Sequence, residues 1–283
     1  MSRARSSSGI ALVAVLWVVM LLAIIAAVVM SETHSAYRAT RNASGRAAAE
    51  AIADAAINRA IADLMAPPDQ RRWRLDGSPA PFVFEGIAVQ VSVQDELGKI
   101  DLNFAPDELL AGLLRSAGVP PEQSDALVDA IADWRDDDDL RRLHGAETAD
   151  YRNAGRRYVP RNGLFQTVEE LRLVLGMTDA VFLRLEPALT VYSQNRGVDV
   201  ATAPPAALRA LPGMDANAVD QLLRTRAQQP NPLSANLAGR AFTIRAAVAL
   251  PDGSRLMREA VVRPTFNPQH PVIVHLWRSR DRG

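Results

Sequence analysis

The chain has 283 residues, 48% of them hydrophobic, enough to bury the core of one large domain or two small ones. Its 32 Lys and Arg balance 32 Asp and Glu, which argues against a broad nucleic-acid-binding surface, since that needs surplus positive charge. Cysteine is absent and the histidines (His34, His144, His270, His275) are scattered, which excludes disulfides and cysteine nucleophiles and disfavours a His-based metal site.

Residues 10–30 carry neither a charge nor a proline. A helix rising about 1.5 Å per residue reaches about 31 Å there, enough to cross the ~30 Å hydrocarbon layer. Arg3 and Arg5 precede the run, and Glu32 and His34 follow it. The positive-inside tendency then keeps the N-terminus cytoplasmic and sends the body outward. A discarded secretory signal has a shorter apolar region, about 7–15 residues, and a small-x-small cleavage site. Here the apolar run is longer and "HSA" at 34–36 is a poor site, so the pattern predicts a retained anchor.

The helical pattern continues past Met30 into an alanine-rich stretch. Ile52, Ala56, Ala60 and Leu64, flanked by Ala53, Ile57 and Ile61, form one apolar stripe at 3.6 spacing. Ser44-Gly45 is a weak point in it, and Pro67-Pro68 ends the helix near Met65. The expected rod is about 80 Å long, half in lipid and half lying on a soluble body.

From Phe82 the period changes to two. "FVFEGIAVQVSVQDE" reads as two short strands turning at Gly86. A similar signal returns near the other end, where "AFTIRAAVAL" and "RLMREAVVRP" flank a Pro251-Asp252-Gly253 turn, with a further strand at 272–277. Between them, residues 99–240 read as helical. The fold class expected is α+β: a long N-terminal transmembrane and amphipathic helix packed on a small antiparallel sheet, interrupted by an inserted all-α domain.

The insert contains an internal repeat of helix, glycine hairpin and helix. Asp101 aligns with Asp199, Ala105-Pro106 with Ala203-Pro204, Leu110 with Leu208, and Gly118-Val119 with Gly213-Met214; a shorter third copy carries Gly176-Met177. The unit resembles helix-hairpin-helix modules, which hold DNA phosphate on hairpin amides, so a membrane-anchored DNA receptor is the alternative function. Such hairpins usually have a second glycine, replaced here by Pro120, Thr178 and Asp215. Proline lacks the amide donor and aspartate repels phosphate, so the repeats read as scaffold and no nucleic-acid partner is expected.

"DWRDDDDLRRLHGAETADY" (133–151) is the most charged stretch. The mutual repulsion of its acids would be relieved by a divalent cation. Hard oxygen ligands without Cys or clustered His point to Ca²⁺ or Mg²⁺, with Ca²⁺ favoured by an irregular loop. Asp136, Asp138 and Glu147 fall at offsets one, three and twelve of an EF-hand loop, but Arg141 stands where its glycine belongs, so it is not one. The other reading is a solvated acidic loop paired with Arg135, Arg141 and Arg142. No nucleophile elbow, phosphate-binding glycine loop or paired histidine points to an enzyme.

The N-terminal pattern, a short basic leader ending in glycine and then an apolar helix that becomes amphipathic, resembles the type IV pilin class of prepilins. That resemblance implies cleavage by a prepilin peptidase after Gly9 and methylation of the new N-terminus at Ile10. Most members carry a glutamate as the fifth mature residue; this chain has Ala14, a departure shared by the minor pseudopilin K family of type II secretion. That family also carries a motif similar to Asp133-Trp134-Arg135-Asp136-Asp137-Asp138, followed by Gly145-Ala146-Glu147 and Tyr151, and "RNGLFQTVEELRLVLGM" at 161–177 resembles it too. The resemblance implies a structural calcium site held by Asp136, Asp138 and Glu147, with Asp133 and Asp150 as further candidates. It also implies other minor pseudopilins as partners in a tip complex, and an inner-membrane, single-pass location with a periplasmic body. The chain then divides into a leader (1–9), a transmembrane helix (10–30), its amphipathic continuation (31–65), the first part of a pilin-like domain (66–98), the inserted helical domain (99–240) and the returning strands (241–283).

Overall fold

Apolar residues at helical spacing produce α1, Ser8–Leu64, a single helix of 57 residues in a computed structural model that describes residues 8–228, 237–250 and 254–280. The leader residues 1–7 and the Pro251-Asp252-Gly253 turn lie outside the described residues. α1 passes through Ser44-Gly45 unbroken and stops one residue short of Met65. Along residues 12–25 its large apolar side chains stand half or more exposed. Among the described residues no helix is both long and apolar enough to cross a membrane. Burial begins at Ala49, and Ile52, Ala53, Ala56, Ile57, Ala60 and Leu64 are all at most 8% exposed. The stripe read from the sequence is the face that α1 turns to the sheet.

That sheet has the order β1-β2-β5-β6-β7, with every neighbouring pair antiparallel. β1 (Ala80–Phe84) and β2 (Ile87–Asp95) turn through Glu85-Gly86, both at positive φ, the geometry that suits a two-residue hairpin. The chain then leaves the sheet and re-enters at β5 (Phe242–Ala249), β6 (Arg255–Asn267) and β7 (His270–Ser279). Alternate residues Val89, Val91 and Val93 of β2, with Phe242, Ile244, Ala246 and Val248 of β5, close a core against α1. Full burial of each large side chain contributes about 1.5–3 kcal/mol. Asp54 of α1 crosses this layer, accepting from Arg258 Nε at 2.8 Å, Arg258 Nη2 at 3.0 Å and Trp277 Nε1 at 2.9 Å.

The intervening chain builds a second core around Ile100, Leu110, Leu113, Leu127, Ile131, Trp134, Phe182 and Leu208. Its helices are α2 (Asp107–Ser116), α3 (Pro121–Arg135), α4 (Thr148–Asn153), α5 (Asp179–Leu185), α6 (Pro205–Arg209) and α7 (Ala216–Gln228). It is not purely helical: β3 (Ile100–Asp101) and β4 (Leu189–Thr190) pair in parallel. Two-residue strands carry no periodicity, so the sequence pattern of the region is all-α.

The repeat is present down to its hydrogen bonds. Asp101 Oδ1 accepts from the Asn103 amide at 2.9 Å, and Asp199 Oδ1 from the Ala201 amide at 3.0 Å. The backbone oxygens of both aspartates accept from Ala105 and Ala203 at 2.9 Å. Gly118 and Gly213 turn the two hairpins at φ 76° and 75°, a region a side chain would resist. Each copy also carries a clasp. Arg135 Nη1, at the end of α3, donates to the Leu102 and Ala105 oxygens at 2.7 and 3.2 Å. Arg226, in the last turn of α7, donates to the aligned Val200 and Ala203 oxygens. The sequence hid this pair because the two helices begin and end at different spacings from their aspartates.

The sheet face turned away from α1 meets the helical region through charge. Glu259, only 3% exposed, accepts from Arg245 Nε at 2.6 Å and Arg278 Nη2 at 2.9 Å, while Arg278 and Arg280 reach Glu169 and Glu186 beyond the sheet. Burial alone would raise the Glu259 carboxyl, but Arg245 and Arg278 beside it hold it below its ordinary value. Its contribution to stability is therefore present at neutral pH and lost as acid titrates it. Removing one partner of a buried ion pair leaves the other uncompensated. Glu259→Gln should cost about 3 kcal/mol of unfolding free energy at pH 7 by denaturant titration, with a smaller difference from the parent in acid.

Candidate metal centre

α3 delivers Asp133 and Trp134 from its last turn, and its backbone turns extended at Asp136. The chain then runs through a loop to Glu147, the residue before α4. Trp134 stacks on Phe165 with centroids 5.9 Å apart, and its ring lies 6.0 Å from Tyr151 of α4. These aromatic contacts fix both ends of the loop.

Inside the loop, acids are spent on backbone amides. Asp133 is fully buried, and both its oxygens lie 3.3 Å from the Arg142 amide. Asp138 Oδ1 accepts from the Leu140 amide at 2.8 Å, and Asp129 from the His144 amide at 3.0 Å. At Gly145 a Cβ would run into the Asp133 carboxylate. Glycine there is the condition for the loop to close over Asp133 and bring Glu147 inward.

The result is that Asp136, Asp138 and Glu147 each offer a carboxylate oxygen within 4.8 Å of one another. Glu147 is 4% exposed. Asp136 Oδ1 and both Glu147 carboxylate oxygens are buried without a hydrogen-bond partner. Such atoms cost free energy unless something satisfies them. The arginines that could have paired with the cluster are engaged elsewhere. Arg141 meets Asp150 at 3.1 Å, Arg142 meets Asp107 at 2.6 Å, and Arg135 meets Asp107 at 3.6 Å. Among the described residues no ion pair reaches Asp136, Asp138 or Glu147. A divalent cation with hard oxygen ligands fits this donor set, and calcium tolerates its irregular loop.

Of the five candidate ligands, the structure brings together Asp136, Asp138 and Glu147. Asp133 serves the loop backbone instead, and Asp150 accepts from the Glu147 amide at 3.0 Å while pairing with Arg141. Gly9 and Ile10 lie in the first turn of α1. Two further residues stand close to the cluster. Asn162 Nδ2 donates to the Asp138 backbone carbonyl at 2.7 Å, and its own Oδ1 is buried and unpartnered. Asp139 lies close enough to influence the Glu147 carboxyl. Asn162 falls inside "RNGLF", but nothing in that string marks an amide as facing an acidic loop 24 residues earlier.

The hairpins offer less to an anion. Thr178 Oγ1 accepts from the Val181 amide, and Asp215 Oδ1 from the Ala218 amide. These side chains occupy helix-start amides that a phosphate would seek.

Residues 97–194, which contain the whole acidic site, match the family described as type II secretion system protein K. Type II secretion system protein K of Klebsiella pneumoniae is 35% identical over 128 residues, 43% of this chain and 39% of that protein. Its counterpart in Pseudomonas aeruginosa is 31% identical over 155 residues, 50% of this chain and 46% of that protein. The matches thus span less than half the length of these curated relatives. A chain in the crystal structure of the GspK–GspI–GspJ complex from the type 2 secretion system of enterotoxigenic Escherichia coli superposes with a TM-score of 0.57. At 18% identity, covering 89% of this chain and 100% of that one, the likeness is one of fold.

Without a cation, burial first, then the neighbouring Asp133, Asp139 and Asp136, push the Glu147 carboxyl up to about 7. The folded chain then binds a proton that the unfolded chain releases near its ordinary value of 4.5. Stability in chelator should therefore fall as pH rises from about 4.5 to 7. Denaturant midpoints across that range check this, and Glu147→Gln should flatten the fall.

Proposed function

We propose that this chain, whose residues 97–194 match the type II secretion system protein K family, is a minor pseudopilin that sits at the tip of a secretion pseudopilus. The observation that carries this reading is the carboxylate cluster of Asp136, Asp138 and Glu147, lying within the matched domain. The likeness in fold to a chain of a GspK–GspI–GspJ complex supports two other minor pseudopilins as partners in a tip complex.

The mechanism is assembly. A prepilin peptidase cuts after Gly9, and Ile10 becomes the methylated N-terminus. The apolar helix from Ile10 to Met30 anchors the precursor in the inner membrane and packs among partner helices after extraction. Its amphipathic continuation, buried along one face from Ala49 to Leu64, ties that anchor to the sheet. Ala14 stands at the fifth mature position, where an acid would pair with a neighbour's N-terminal amine. A tip subunit has one neighbour fewer, so the acid is dispensable there. The helical region, inserted between β2 and β5, adds bulk suited to a tip and not to a repeating shaft.

Asp136, Asp138 and Glu147 would hold a structural calcium ion, with Asn162 and Asp139 as nearby oxygen donors. When bound, the ion would neutralise the three carboxylates and tie the two ends of the loop together. Asp133 and Gly145 shape the loop that presents the three carboxylates.

Two outcomes test the reading. The protein extracted from its native membrane should begin at Ile10 with one added methyl group, and Gly9→Val should abolish that maturation; a start at Met1 or Ser2 would overturn the prepilin account. Replacing Asp136 and Asp138 together by asparagine should lower the thermal midpoint in calcium and leave it little changed in chelator. Equal losses in both conditions would sink the metal role.

A further inference from the structure

The two repeat copies differ at one informative position. Both clasp arginines bind the aligned carbonyls, but only Arg135 also meets a carboxylate, Asp107 at 3.6 Å. The residue aligned with Asp107 in the second copy is Pro205. Only the first copy leads into an acidic loop.

Asp107, the first residue of α2, also accepts from Arg142 Nη1 at 2.6 Å. Arg142 sits on the loop between Asp138 and Glu147, with further acids at hand: Asp129 at 3.8 Å and Asp133 at 4.0 Å. A guanidinium in this position is the natural competitor of a divalent cation, because it can satisfy the same orphaned carboxylate oxygens. Arg142 lies close enough to Asp136 to act on its carboxyl, yet its Nη1 is committed to Asp107. The pair lies at the surface, with side chains about two-fifths exposed, so it adds little to global stability. Its consequence is directional.

We propose that Asp107 is a positioning residue for the acidic cluster: it keeps the Arg142 guanidinium paired, so that Arg142 does not satisfy Asp136, Asp138 and Glu147 in place of a divalent cation. The proposal rests on the metal reading above. It adds a residue 26 positions upstream of Asp133 that the acidic motif does not contain.

The test is calorimetric titration of CaCl₂ into the detergent-solubilised full chain and three variants. Asp107→Asn should weaken calcium binding about tenfold, the usual cost of losing an outer-shell partner, while leaving unfolding in chelator nearly unchanged. Adding Arg142→Gln to Asp107→Asn should bring affinity back to within roughly twofold of Arg142→Gln alone, far inside that outer-shell range. Unchanged affinity in Asp107→Asn overturns the proposal. A loss that Arg142→Gln fails to rescue also overturns it, since Asp107 would then act through α2 and not through Arg142. A parent chain that binds no calcium at all instead overturns the metal reading beneath it.

Discussion

Three carboxylates held within 4.8 Å of one another with no cationic side chain among them are the constraint around which the helical region is arranged. At that separation, near a protein surface, each like-charged pair costs about 3 kcal/mol. The loop would open unless its neighbours enforced the approach. Asp133 enforces it from below by taking the Arg142 amide, and Gly145 allows the close passage over it. Trp134, stacked on Phe165 and set beside Tyr151, pins the two ends. The donor set that results, three carboxylates on an irregular loop, is one that a doubly charged cation with hard oxygen ligands fits.

The same accounting explains how two bodies share one chain. One face of the sheet is closed by the apolar stripe of α1, and the other carries Arg245, Glu259 and Arg278 in register across three strands. A polar face would normally meet water. Here it meets Glu169 and Glu186 of the helical region, so the two cores are joined by ion pairs without merging. Within the helical region, a duplicated unit supplies the framework, and each copy is closed by an arginine on its own loop carbonyls. The first copy has been extended by the acidic loop; the second, with Pro205 in place of Asp107, continues into α7 and then back to the sheet.

Much of this was legible in the residues. The stripe from Ile52 to Leu64, the alternation in β2, the return of strands after residue 240 and the glycine hairpins all follow from local periodicity, and periodicity survives folding. The cluster of Asp136, Asp138 and Glu147 was legible because its motif keeps the acids close in sequence. What was not legible depends on distant partners. Asp54 gives no sign of meeting Arg258, more than 200 residues away. Asp133 and Asp150 read as ligands because they are acids in an acidic motif; nothing local says that they also accept from the Arg142 and Glu147 amides. Asn162 and Asp107 matter only through tertiary placement, and the β3–β4 pair is too short to announce itself.

The most direct test of the central claim is the proton balance of calcium binding, measured by calorimetry on the full chain in buffers of different ionisation enthalpy. A Glu147 carboxyl raised to about 7 must give up its proton when a cation takes its place. The account predicts that calcium binding at pH 6.5 releases protons, and that this release fades as pH rises above 8. Calcium binding with no proton release at pH 6.5, or no binding at all, would contradict it.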